Sequence, residues 1–235
     1  MNQDIPKSDE AQHQAQDSCK QCGTCCQKGG PAFHLEDREL LEKGKIGMSD
    51  VYTIREGEPI YDNVKGTLDY AETDIIKMKG EGRSWACRFL EADSSSCRIY
   101  EDRPLECRVL KCWDTREIEV VYARDRLTRK DLVSGVDGLW DLIEEHQQRC
   151  SYFDIRKWLE QNSGNLVGDA VDMVLEMIKY DLAIRPMMVE KGQLDAEMMD
   201  FLLGRPMIET ITLFGLTIEK DEDGYRFSSN QQSKQ

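Results

Sequence analysis

Eight of the nine cysteines of this chain fall into two groups, and their spacing constrains the fold more than any other feature of the sequence. The groups are CKQCGTCC, with Cys19, Cys22, Cys25 and Cys26, and C-x9-C-x9-C-x4-C, with Cys87, Cys97, Cys107 and Cys112. A C-x-x-C step presents two sulfurs to one metal ion, and Gly23 between the two steps frees the backbone to turn around it. We therefore predict that these eight cysteines are metal ligands, with the second group completing the site that the first one opens.

The adjacent cysteines Cys25 and Cys26 indicate more than one metal centre. Neighbouring thiolates cannot easily both face one small ion, so at least one of them is expected to serve a second centre. Eight sulfurs fit two four-sulfur sites, or one iron–sulfur cluster plus a zinc. Thiolate ligands suit zinc and iron–sulfur clusters alike, so zinc, iron and [4Fe-4S] all stay open. The first run lacks the next step of bacterial ferredoxins, a fourth cysteine three residues on followed by proline.

The first 18 residues bear on the compartment. They lack the apolar segment of a secretory signal and the Arg-rich amphipathic pattern of a transit peptide, so we predict a disordered tail at 1–18 and a cytoplasmic protein. No apolar run approaches the roughly 18 residues that span a bilayer. Because a reducing compartment keeps thiols free, metal binding is a better prediction than disulfides.

The charge of the chain bears on its partners. The formal net charge is -14 and the pI is about 4.8. Nucleic-acid binders usually concentrate Lys and Arg on one face, so we expect neither a nucleic acid nor an anionic membrane as partner. A protein partner remains compatible with this charge.

The remaining patterns predict an α+β fold in which a cysteine-rich region with short strands and helices precedes a mainly helical half. We expect a metal-binding domain at 19–114, a helical subdomain at 115–227 and a flexible tail at 228–235. Within the first, the sequence favours a helix near Leu35 to Glu42, strands between Val51 and Met78, and a hairpin of two strands over residues 85–100. A helix should start at Pro104 and carry Cys107, and an Asp-Gly turn favours a hairpin near the end of the chain.

Several other residues have two interpretations each. His34 is the histidine that could reach the cluster, whereas His13 and His146 are expected to be solvated. Cys150 is expected to be a half-buried side chain rather than a ligand, and Met173 and Met177 are expected in the core. Three arginines each follow a cluster cysteine: Arg88, Arg98 and Arg108. They either offset the negative charge of the thiolates or form ion pairs with nearby acids, namely Glu91, Asp93, Glu101 and Asp102.

The motifs CxxCxxCC at Cys19, CRFL at Cys87 and CRIYEDRPLECR from Cys97 resemble the YkgJ-like CxxCxxCC family of zinc- or iron-chelating cysteine-cluster proteins. The resemblance covers roughly Cys19 to Cys112. It implies metal ligands at Cys19, Cys22, Cys25, Cys26, Cys87, Cys97 and Cys107, while Cys112 is added from its spacing alone.

A similar cluster occurs in flagellin lysine N-methylases, which implies that some relatives are methyltransferases acting on protein lysine. This chain has no obvious nucleotide-binding glycine loop to support that activity. Two functions therefore stay open. One is an iron or iron–sulfur protein that serves a redox or methyl-transfer reaction. The other is a non-enzymatic structural zinc module that mediates protein interaction.

Overall fold

The computed structural model describes residues 19–82, 84–221 and 224–228. The tail predicted at 1–18 and residues 229–235 of the other predicted tail lie outside the described residues. Within the described part, short antiparallel strands and a larger helical content confirm the predicted α+β class. The strands form three pairs: β1 (Val51–Ile54) with β4 (Ile75–Met78), β2 (Pro59–Asp62) with β3 (Thr67–Tyr70), and β5 (Ile218–Asp221) with β6 (Gly224–Phe227).

The pair β1 and β4 forms because both strands are rich in β-branched residues and each buries one face. Val51 lies opposite Met78 and Thr53 opposite Ile76, and all four side chains are buried. Successive side chains of a strand point to opposite faces, so this register sends one residue in two toward the core. The strands predicted between Val51 and Met78, and the hairpin predicted near the end of the chain, are confirmed.

Helices carry most of the second half, as the apolar periodicity predicted. The α-helices are α1 (Thr24–Gln27), α2 (Arg38–Glu42), α3 (Leu105–Val109), α4 (Arg116–Val121), α5 (Arg129–Val133), α6 (Leu139–Arg149), α7 (Tyr152–Gln161), α8 (Asp169–Gly192), α9 (Met199–Leu202) and α10 (Met207–Thr210). Single 3-10 turns cover Leu35–Asp37, Met48–Asp50, Tyr100–Asp102, Ala196–Met198 and Ile211–Phe214. The Thr128 hydroxyl caps α5 and the Ser151 hydroxyl caps α7, each by accepting a backbone N–H of the first turn.

One hydrophobic core joins the cysteine-rich region to the helical half. Phe33, Val51 and Ile76 from the first region pack in the same cluster as Ile143 and Phe201 from the second. The Thr53 hydroxyl also donates to the carbonyl of Phe201 at 2.6 Å. The core therefore crosses the domain boundary that was predicted after residue 114.

A buried ion pair reinforces this junction. The guanidinium of Arg129 donates to both carboxylate oxygens of Asp74, at 2.6 and 2.9 Å, and also to the carbonyl of Leu202 at 2.8 Å. Because each of its three nitrogens donates a hydrogen bond, Arg129 can be 2 % exposed without leaving a bare charge in the core. It fixes the segment before β4 against the segment around α9.

Three sequence predictions about buried residues were wrong. His146 is fully buried, not solvated, and its Nε2 lies 2.8 Å from Oδ1 of the buried Asp181. Met173 is 52 % exposed, because the buried stripe of α8 runs along Val174, Ile178 and Ile184 instead. Cys150 is fully buried rather than half-buried, between α6 and α7. The prediction for His13 lies outside the described residues.

No helix among the described residues has both the length and the apolar character that crossing a bilayer requires.

Candidate metal centre

A single cavity of about 210 Å³ brings the two cysteine groups together. All eight cysteines that were predicted as ligands line it: Cys19, Cys22, Cys25, Cys26, Cys87, Cys97, Cys107 and Cys112. Cys150 does not line the cavity and lies in a separate hydrophobic cluster between the helices. The predicted convergence of the two groups is therefore present, while the role of each thiol as a ligand stays a prediction.

The first group forms a tight loop that leads into the short helix α1. Gly23 has a φ of 72°, in the left-handed region, and its missing side chain lets Leu90 and Ser95 approach closely. The backbone N–H of Gln21 points at Sγ of Cys19, at 3.4 Å, as expected for a C-x-x-C loop. The Thr24 hydroxyl lies 3.2 Å from Sγ of Cys22 and lowers the pKa of that thiol.

The second group reaches the cavity through backbone pairing rather than through strands. The predicted hairpin over residues 85–100 is reduced to isolated bridges, with Cys87 opposite Gly80 and Cys97 opposite Leu90, so the two predicted strands were wrong. The N–H of Cys87 donates to the carbonyl of Cys26 at 2.8 Å, which joins the two groups directly.

The last two cysteines lie on and after α3. Pro104 precedes its first turn, where a missing N–H costs nothing, and Cys107 lies on the helix as predicted. Cys112 follows the end of α3, in a turn closed by a hydrogen bond from Asp114 N–H to the Lys111 carbonyl at 2.9 Å.

The eight thiols differ in burial: Cys87 is buried and Cys26, Cys97 and Cys107 are partly buried, whereas Cys19, Cys22 and Cys112 are exposed. Burial raises the pKa of Cys26 to about 11, with further contributions from Cys87 and Cys97, and burial together with Cys26, Cys87 and Cys97 raises the pKa of Cys107. We call these four the inner set: Cys26, Cys87, Cys97 and Cys107. The pKa of Cys25 is raised by burial and then by Cys112, Cys19 and Cys22. These form the outer set: Cys19, Cys22, Cys25 and Cys112.

The chemistry of this donor set fits a thiophilic metal, but the sulfurs do not form a finished coordination sphere. Among the described residues, no group of three or more Cys, His, Asp or Glu side chains has a geometry that could hold a metal ion. A cysteine thiol turns about one torsion, and Zn–S bonds are about 2.3 Å long. Binding therefore requires these thiols to rotate inward and the loop around Gly23 to close.

Residues 32–37 clasp the helix that carries Cys107. Oε2 of Glu106 accepts the N–H of Ala32 at 2.7 Å, and Oδ1 of Asp37 accepts the N–H of Leu105 at 2.8 Å. We call these contacts the clasp. Glu106 and Asp37 were not predicted as site residues, although Glu106 lines the cavity beside Cys107. The position of Glu106 next to a cluster cysteine was the feature of the sequence that could have indicated its place in the site.

His34 contacts Glu106 of the clasp but does not line the cavity. Its Nδ1 lies 2.7 Å from the Arg124 carbonyl and its Nε2 lies 3.4 Å from Oε1 of Glu106. Both partners are acceptors, an arrangement that favours the protonated form of the ring. Burial alone would lower the pKa of His34, but Glu106 and the Arg124 carbonyl raise it overall. Its ring nitrogens are therefore engaged away from the cysteines.

The three arginines that follow cluster cysteines do not line the cavity in the described structure. Arg88 pairs with Asp50 at 3.0 Å and Arg108 pairs with Glu36, which favours the acid-pairing interpretation with other acids than predicted. Arg98 lies over the ring of Phe89 and donates to the Arg88 carbonyl. Arg98 and Arg88 also act to lower the pKa of the Cys87 thiol, although burial raises it overall. Lys20 and Arg103 line the cavity, and neither was singled out in the sequence.

Removing the Glu106 carboxylate should cost about 2 kcal/mol of folding free energy, because Glu106→Ala leaves the Ala32 N–H and Nε2 of His34 without a hydrogen-bond partner. Chemical denaturation of the metal-free, reduced protein measures this. Glu39→Ala is the matched control, since Glu39 forms an exposed pair with Lys43 and its loss should leave the stability nearly unchanged. Equal destabilisation by the two variants would contradict the clasp.

An α+β chain that gathers eight thiols around one cavity has the features of a metal-chelating cysteine-cluster protein. Residues 18–126 match the model of the CxxCxxCC family, described as a "putative zinc- or iron-chelating domain". This match confirms the resemblance seen in the sequence, supports metal binding and includes Cys112. No curated protein and no solved structure matched the chain.

Proposed function

We propose that this protein binds zinc or iron in the cytoplasm at two four-thiolate centres, one formed by the inner set and one by the outer set. The observation that carries the proposal is the single cavity lined by all eight cysteines, which come from segments as far apart as Cys19 and Cys112. Four thiolates complete a tetrahedral zinc site, so eight are enough for two. The match to a zinc- or iron-chelating family supports the same chemistry.

Two cationic side chains line the cavity that the loaded centres would occupy. A divalent ion with four thiolates carries a net charge of about minus two. Lys20 and Arg103 line the same cavity, and the Arg103 guanidinium lies 3.5 Å from the centroid of the Tyr100 ring, which holds it in place. These cations offset part of the charge that the loaded centres would carry.

An iron–sulfur form is the second candidate, and the local geometry of the first loop favours it for the outer set. Cys19, Cys22 and Cys25 are spaced by C-x2-C-x2-C, and the Gln21 N–H that points at Cys19 is the type of hydrogen bond that tunes cluster sulfurs. In that form the protein would serve electron transfer, or a methyl-transfer reaction such as the flagellin lysine N-methylase resemblance implies. In the zinc form it would be a structural module for a protein partner.

Metal quantification of protein purified without oxygen tests the proposal. We expect about two equivalents of zinc or iron in the wild type. Cys22→Ser removes an outer ligand and Cys97→Ser an inner one, so each should lose about half of the metal, while a double variant should lose nearly all. A brown protein with absorbance near 400 nm and stoichiometric sulfide identifies the iron–sulfur form, and a colourless zinc protein rules it out.

Cys150→Ser is the matched control, because Cys150 is a buried cysteine that lies outside the cavity. Its metal content should equal that of the wild type. The proposal fails if the wild type retains no metal after loading with either ion. Unchanged metal content in both Cys22→Ser and Cys97→Ser would refute the ligand assignment.

A further inference from the structure

The inner and outer sets differ in their access to solvent. Three outer cysteines, Cys19, Cys22 and Cys112, are exposed, whereas none of the four inner ones is. Cys87 is only 8 % exposed and packs in the main core cluster, where Cys26 lies against it. A ligand from solution can therefore reach these three outer sulfurs directly, whereas Cys25 and the inner sulfurs are partly or fully covered by protein.

The two sets also differ in how their backbones are held. The N–H of Cys87 donates to the Cys26 carbonyl at 2.8 Å, and the clasp fixes the helix of Cys107 through Glu106 and Asp37. Reaching the inner set requires the opening of these contacts, and local opening is rare where buried packing and hydrogen bonds hold a segment. Cys19, Cys22 and Cys112 are already exposed without such opening.

We propose that the outer set is the exchangeable site of this protein, from which zinc passes to a thiol ligand of a partner, while the inner set retains its ion as part of the fold. This inference rests on the proposed function. An incoming thiol loses its proton as its sulfur binds the ion, and an outer cysteine thiolate leaves and takes up a proton. The ion stays divalent and bound to four sulfurs, so the step needs no oxidant or reductant.

The proposal is tested on the zinc-loaded full chain by following zinc release to an excess of the chelator 4-(2-pyridylazo)resorcinol. We expect two phases of equal amplitude, with rates that differ by at least about tenfold. Glutathione, as a thiol acceptor, should accelerate the fast phase and leave the slow phase unchanged. Cys112→Ser should abolish the fast phase and retain the slow one, while Cys97→Ser should abolish the slow one.

Cys150→Ser is again the control and should release zinc as the wild type does. A single phase that releases both ions overturns the inference while leaving the proposed function standing, and failure to retain zinc at all overturns the proposed function itself. Loss of the slow phase in Cys112→Ser also overturns the inference. If Cys97→Ser does not fold, Cys112→Ser decides alone.

Discussion

Asp181→Asn is expected to lower the free energy of unfolding by roughly 3–5 kcal/mol, because it breaks a fully buried charge network. Asp181 has no exposed surface, and its carboxylate accepts hydrogen bonds from Arg185 at 2.9 Å, from the Met207 N–H at 2.8 Å and from His146 at 2.8 Å. All three partners donate. An asparagine has one acceptor oxygen and an NH₂ group, so its nitrogen would have to face a donor, and Arg185 would lose its counter-charge.

Urea unfolding at pH 7.5 measures this effect, with the midpoint and slope compared between variants. Glu176→Gln is a control on the same helix, since Glu176 is exposed and pairs only with Lys179 in the next turn. Its change should stay within about 0.5 kcal/mol. A loss of less than about 1 kcal/mol for Asp181→Asn would contradict the role given to this network.

Acidification from about pH 6.5 to about pH 4 is expected to remove roughly 3 kcal/mol of stability through His146. Burial lowers the pKa of His146 to about 4; the hydrogen bond to Asp181 opposes this shift, and the nearby Arg55 and Arg185 add to it. The histidine pKa of the unfolded chain is near 6.5, so between about pH 4 and pH 6.5 His146 is protonated in the unfolded chain but not in the folded one. The contribution is complete above pH 6.5 and is lost as the pH falls toward 4.

The geometry around His146 gives the same direction. Its Nε2 donates to Asp181, while its Nδ1 is buried and has no hydrogen-bond partner in the described structure. Protonation would therefore create a buried N–H without an acceptor, beside two guanidinium groups.

His146→Gln isolates this effect, because glutamine can still donate to Asp181 but does not titrate. The difference in unfolding free energy between wild type and variant should decline between pH 6.5 and 4, by about 1.4 kcal/mol per pH unit at its steepest. Metal-free, reduced protein is used so that thiolate protonation does not contribute. A difference that stays constant over this range would refute the assignment.

The sequence was sufficient to predict that the cysteines converge, because the spacing within each group is a local property. Two successive C-x-x-C steps around Gly23 dictate a loop of converging thiols whatever the rest of the chain does, and Pro104 sets the start of the helix under Cys107. The adjacency of Cys25 and Cys26 also indicated two sets, and the two thiols do have different neighbours. These inferences needed no knowledge of tertiary packing.

The buried polar residues could not be predicted, because their environment is set by distant segments. His146 lies in a polar stretch of α6, and only the packing of α8 against it supplies Asp181 from 35 residues away. Asp37 was not singled out in the sequence, and it accepts the N–H of Leu105 from 68 residues away. The apolar periodicity of α8 likewise does not determine which face of the helix packs against the core. This is why Met173 was wrongly predicted to be buried.

The shared core under β1 and β4 means that the metal region is not a transplantable module. A segment cut after residue 126 would keep every cavity cysteine but would strip Val51 and Ile76 of the covering side chains of Phe201 and Leu202. It would also take away the guanidinium that neutralises Asp74. Grafting this chelating loop onto another scaffold would therefore also require the core side chains that pack against it. The chain supplies these about a hundred residues later.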